Sequence, residues 1–248
     1  MNRSLHFAVG SAPAESGAQA YQQRYGFGRS QTDTSHSIVT PDIVHKVARA
    51  YQALPEFDSS AVPAYNAMRE EVRRQFDHLT APRSKGGMGF DVSVANHDPY
   101  EFGGFDGKTP AGAQMMHDVN NRRMKVLSTA ATGGHPLFSN DDNDMFRAVH
   151  DVFGHAAIGR GVDRHGEEAA FQKHAQMFSP LAQQALATET RGQNHAMIAS
   201  HGEFQPQKIA VLPEPLRRIN LTTGGDSEAR ARAMLQARQF HAQQFGGV

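Results

Sequence analysis

"SNDDNDMFRAVHDVFGHAA", residues 139–157, decides how the chain is read. Ser139 precedes Asn140, Asp141 and Asp142, a capping hydroxyl followed by acids in an opening turn, and both features favour a helix N-terminus. The remainder reads as a buried helix, yet it carries His150 and His155, with Asp151 beside the first and Gly154 beside the second. Fourteen histidines in 248 residues give roughly 0.7 pairs at any one spacing by chance, so the pair alone decides nothing. A five-residue step on an ideal α-helix turns about 140°, which sets the two imidazoles on different faces. Two ligands on one cation therefore require the helix to end, loosen or bulge between them. Gly154, poor in a helix interior and good at its end, supplies that freedom.

Working outward, the chain from Ser139 on is mainly helical. "GEEAAFQKHAQMF" (166–178), "SPLAQQALATETRGQN" (179–194) and "DSEARARAMLQARQFHAQQF" (226–245) are each expected to form helices, the second opened by Ser179 and Pro180. Upstream, "TPDIVHKVARAYQAL" (40–54) is predicted to be a helix capped by Thr40, with Ile43, Val44, Val47 and Tyr51 on its apolar face. A second helix is predicted over 59–79 from Val62, Tyr65, Met68, Val72 and Phe76, with Glu70, Glu71, Arg73 and Arg74 as its solvated side. "GFDVSVAN" (89–96) changes the period to two and reads as a strand, as does "MKVLST" (124–129). Thr109 and Pro110 open a short helix between them. Residues 1–38 lack apolar periodicity and are expected to be a flexible or irregular arm, with 39–248 a single domain. The fold class is mostly α with a small β-hairpin or short sheet (α+β).

Bulk composition excludes several functions. Twenty-five basic and 25 acidic side chains cancel, with an isoelectric point near 7.3, which argues against nucleic acid or an anionic membrane as main partner. Only 39% of residues are hydrophobic and mean hydropathy is −0.55, so the surface is polar and the core economical, and no apolar run in the sequence approaches the roughly 20 residues of a membrane helix. The apolar stretch near the start is too short for a signal peptide, and the expected location is cytoplasmic. Cysteine is absent, so any metal must be held by imidazole and carboxylate.

A third ligand is then wanted. Glu189, 34 residues after His155 and set among Ala185, Ala187, Thr188 and Thr190, is the leading candidate, with Glu168 and His174 as competitors or as a surrounding shell. Two histidines and one carboxylate on one face of Fe(II) leave open positions for dioxygen and substrate. A ligating imidazole needs its second nitrogen oriented, which Asp151, Glu168 or Gln193 could do, and Arg147 could hold Asp151 or a substrate carboxylate. Arg191 could clamp an anionic group bidentately, or pair internally with Glu189, and Asn194 adds neutral hydrogen bonding. His135, before Pro136, reads as a turn residue, and "DPYEFGGFDGK" (98–108) as an ordinary connection with the composition of a substrate-covering loop.

"HDVFGH" followed by "TET" resembles the iron-binding part of the aromatic amino acid hydroxylases, over residues 146–193. That family carries a His-x-x-x-x-His helix with glycine before the second histidine and a glutamate some way downstream. The resemblance implies a hydroxylase-like helical core with His150, His155 and Glu189 as iron ligands and Asp151 at the family's acidic position. "FRAV" replaces the family's Pro-Asp-Ile-Cys-type stretch, and "HAAIG" replaces its hydrophobic-proline sequence. No counterpart of the pterin-binding segments is found, so the resemblance does not carry pterin or an aromatic amino acid substrate over to this chain. The layout, "ETRGQN" included, is also similar to that of phage-encoded proteins, which implies nothing about chemistry.

Three functions are therefore weighed. The leading one is a mononuclear non-haem Fe(II) oxygenase, a hydroxylase of a small-molecule or amino-acid-like substrate that uses dioxygen. The second is a zinc hydrolase at the same ligands, since His150–Asp151 also resembles the doublet of HD-type phosphohydrolases. The third is a non-enzymatic structural or virion-associated protein with a vestigial metal site.

Overall fold

The computed structural model of the protein describes residues 10–28, 37, 39–100, 113–219 and 221–222. It is predominantly helical, with α1 (Ala12–Tyr25), α2 (Pro41–Gln52), α3 (Val62–Thr80), α4 (Ala113–Asn120), α5 (Asn140–His150), α6 (Arg164–Ala175), α7 (Ala182–Ala187), α8 (Gln193–Ala199) and α9 (Glu214–Arg217). Strands β1 (Asp91–Ala95) and β2 (Arg123–Leu127) form the single small sheet among the described residues. No helix there is long and apolar enough to cross a membrane. The helix expected over 226–245, the Thr109–Pro110 helix start and most of the 98–108 loop lie outside the described residues.

The sheet is parallel and not a hairpin. Asp91 pairs with Arg123 and Ala95 with Leu127, with α4 in the connection, as parallel strands need a crossover. Helix α3 is the central pillar. Its Ala64, Tyr65, Met68, Val72, Gln75 and Leu79 are buried at helical spacing, and it packs against α5 and α7. Helix α2, capped by the Thr40 hydroxyl, buries Val44, Val47, Ala48 and Tyr51 and lies along α8.

Two expectations from the sequence need correction here. The N-terminal region carries α1, which has Ser11 as N-cap and Gly26, at φ 74°, as its left-handed C-cap. This helix buries Ala14, Gly17 and Ala18 with Tyr21 and Gln22, so it docks through small residues that leave little apolar periodicity. A Cβ on Gly17 would lie 2.2 Å from the tip of the Met88 side chain, which would have to move aside for any larger residue. On α3, Glu71 is not solvated. It is buried, and its Oε2 accepts the Ser179 N–H at 2.8 Å.

Candidate metal centre

Helix α5 does not end at His150. It continues as a π-helical turn over Asp151–Ala156, closed by the Ala157 N–H bonding back to the Val152 carbonyl. With i→i+5 hydrogen bonds, residues five apart come round to the same side, which an α-helix would not allow. The rings of His150 and His155 accordingly meet edge to face, with centroids 5.2 Å apart. Gly154 contributes closeness and not a helix end, since a Cβ there would sit 3.1 Å from the Ala170 carbonyl oxygen and 3.2 Å from its Cβ. The turn thus lies tightly on α6, and Gly159, at φ 68°, closes the segment beyond it. From the other side, the Ser11 N–H at the start of α1 donates to the Ala156 carbonyl at 2.7 Å.

The carboxylate that joins the pair is Glu167. Ligand-capable atoms of His150, His155 and Glu167 all lie within 4.8 Å of one another, the one such group among the described residues. His155 Nε2 is 3.6 Å from Glu167 Oε2, already close to the ~3.0–3.4 Å between neighbouring ligand atoms held ~2.1 Å from one ion. Asp163 caps α6 by accepting the N–H groups of His165 and Gly166, which places Glu167 in the first turn. Asn194 on α8 then steadies that carboxylate by donating from Nδ2 to Oε2.

In its neutral form each imidazole directs its free nitrogen into this space. The Arg160 carbonyl can only accept, so His155 Nδ1 donates to it at 3.1 Å and Nε2 carries the lone pair in the neutral ring. His150 Nε2 is buried and has no hydrogen-bond partner, an orphan that a cation would satisfy. Burial, followed by the nearby His155 and His174, holds His150 well below the ordinary histidine range. Burial opposes charge on His155 too, but Glu167 and then Asp151 outweigh it and lift that ring to about 9. A cation would thus replace a proton shared with Glu167. Burial lifts Asp151 to about 7, with His155 opposing the rise and Glu167 adding to it. Glu167 keeps 14% side-chain exposure and Asp151 is half-buried, so the cluster reaches the surface on that side.

The other residues singled out from the sequence lie elsewhere or are already engaged. Glu189 sits on a second π-helical turn, Thr188–Gly192, where its Oε1 accepts the Tyr65 hydroxyl at 2.8 Å and its Oε2 lies 3.4 Å from His135 Nε2. His135 Nδ1 accepts the N–H groups of Leu137 and Phe138, so its proton is on Nε2, facing Glu189. Glu189 therefore belongs to a separate buried cluster with Tyr65 and His135. Glu168 and Arg191 form a bidentate ion pair, Nε to Oε2 at 2.8 Å and Nη2 to Oε1 at 2.5 Å. The remaining Arg191 donors reach the carbonyls of Leu216, Arg218 and Ile219, and Phe171 lies beneath the guanidinium, so nothing is left for a substrate. Arg147 bonds the Leu127 carbonyl and the Thr132 hydroxyl instead of Asp151, tying α5 to the end of β2. His174 has both nitrogens occupied, by His150 and Gln75, and is no ligand.

Glu167 and Gln75 were not singled out from the sequence. Glu167 stands one helical step from Glu168, and nothing in "GEE" says which carboxylate faces the histidines. Comparison of the chain with protein-family models, with curated proteins and with solved structures finds no significant match.

Proposed function

We propose that the chain is a mononuclear non-haem Fe(II) oxygenase whose metal is held by His150, His155 and Glu167. The observation that carries this reading is the convergence of two imidazole nitrogens and one carboxylate within 4.8 Å, with His150 Nε2 buried and otherwise unpartnered. When bound, Fe(II) at such a set leaves adjacent positions open and, with two electrons from a co-reductant, supports insertion of one atom of dioxygen into a C–H bond. The chain's own contribution is positioning. The π turn aims both rings at one point, Arg160 and His174 orient them, and Asn194 holds Glu167. Phe146, buried with its ring centroid 5.8 Å from that of His150, shields one side of the cluster from bulk water. The partly exposed Glu167–Asp151 side is where dioxygen and a small substrate would enter.

The test is metal content after anaerobic reconstitution with Fe(II), followed by oxygen uptake with a chemical reductant. The expected result is one iron per chain, reductant-dependent oxygen consumption, and loss of both in His155→Ala. Zinc retained in preference, with no oxygen uptake, would point to the hydrolase. No metal at all, or iron binding untouched by His155→Ala, would remove the centre altogether.

A further inference from the structure

His150 is not oriented by a carboxylate or a backbone carbonyl, the usual partners of a ligating histidine. Its Nδ1 lies 3.2 Å from Nδ1 of His174, which is wholly buried on α6. A contact between two imidazole nitrogens is attractive only if one carries a proton and the other a lone pair. The next two links say which is which.

His174 Nε2 is 2.7 Å from Gln75 Oε1, and Gln75 Nε2 is 3.2 Å from the Met177 carbonyl oxygen. A carbonyl cannot donate, so the Gln75 atom facing Met177 must be the amide nitrogen, and the atom facing His174 is the oxygen. That oxygen accepts, so His174 Nε2 bears the ring's proton and Nδ1 a lone pair. Nδ1 of His174 then accepts from His150, which places the His150 proton on Nδ1 and the lone pair on Nε2. Nε2 of His150 is the buried atom left without a partner. Gln75 and His174 are themselves fully buried, so water cannot substitute for either link.

We infer that Gln75 and His174 are positioning residues for the metal centre, a hydrogen-bond relay anchored on the Met177 carbonyl that fixes His150 as the tautomer able to ligate through Nε2. The relay runs from α3 through α6 to the end of α5 and links three helices to one ligand atom. It rests on the metal reading above. Its first consequence nevertheless concerns the metal-free protein, because the tautomer is set before any ion arrives.

Two measurements test it. In the metal-free full chain labelled with 15N-histidine, with signals assigned by their loss in single His→Gln variants, His150 is expected to show a protonated Nδ1 and a lone-paired Nε2. His174 is expected to show the reverse. The second measurement is Co(II) affinity by titration calorimetry. His174→Phe, which removes the acceptor, is expected to weaken binding about 10- to 100-fold, the usual loss on removing a ligand's orienting partner. His174→Asn, whose Oδ1 can take the place of Nδ1, is expected to retain most of the affinity. A purely structural role would lower the stability of both variants without separating their affinities. A protonated Nε2 on His150, or wild-type Co(II) affinity in a folded His174→Phe, overturns the relay while the metal reading stands. Wild-type protein that binds no Co(II) overturns the metal reading, and the inference with it.

Discussion

Glu167 turns toward His155 and Asn194, while Glu168, one residue on, is held by two guanidinium nitrogens of Arg191. Two adjacent carboxylates thus have separate tasks, and a third, Glu189, is engaged by Tyr65. Co(II) titration of Glu167→Gln and Glu189→Gln separates them. Glu167→Gln should weaken binding by at least about tenfold, since losing a ligand costs no less than losing its orienting partner, and Glu189→Gln should leave it unchanged. The reverse order would return the carboxylate role to Glu189. At the head of α5, Asp142 is buried, which by itself would raise its pKa. Hydrogen bonds from Arg73 and Ser139 outweigh burial and hold it below its ordinary 3.8. A depressed folded value means stability that is present above the unfolded pKa and is lost as pH falls through the folded one. Denaturant titrations should therefore show part of the acid destabilisation that develops as pH falls through and below 3.8 missing in Asp142→Asn. An unaltered acid profile in that variant would show that the pair contributes nothing. Among single side chains, His150 and His155 were legible because an unusual spacing came with its own glycine. Glu167 was not, because the choice between neighbouring glutamates depends on the rotation of α6, which the buried Ala169, Ala170 and Phe171 fix only after packing.

At the scale of elements, the π turn makes the site, and it depends on how closely it can approach α6. Gly154→Val should cost about 1–3 kcal/mol in urea denaturation, because the new side chain meets the Ala170 backbone at contact distance. Wild-type stability in that variant would mean the turn has slack. Helix type and rough extent were readable for α2 and α5, where caps and a 3.6 period agree, and for α3 from its period alone. A bulge between the histidines was one of three outcomes the sequence allowed. What selects it over a helix end is packing between Ser11 and Ala170, neither of which the local sequence reveals. The parallel pairing of β1 and β2 escaped for a similar reason, since strand alternation carries no direction. Helix α1 escaped because its buried face is largely alanine and glycine.

Across the whole molecule, side-chain pairs fasten the layers that carry the centre. Lys173 on α6 meets Glu15 on α1 at 2.7 Å, and Arg191 joins α6 to the 216–219 segment. Arg191→Met alone should destabilise the fold by about 3–5 kcal/mol by stranding the Glu168 charge, and adding Glu168→Leu should recover much of that loss. Equal stability of the single and double variants in urea would mean the charge is not what the clamp neutralises. The account's central claim is that α5, its π turn and α6 bring three side chains onto one cation. The most direct test is a crystal structure of the Fe(II)-loaded chain with anomalous diffraction collected at the iron edge. The account predicts one peak about 2.1 Å from Nε2 of His150, Nε2 of His155 and an oxygen of Glu167. A peak bonded to Glu189 instead, or no peak between the two histidines, would contradict it.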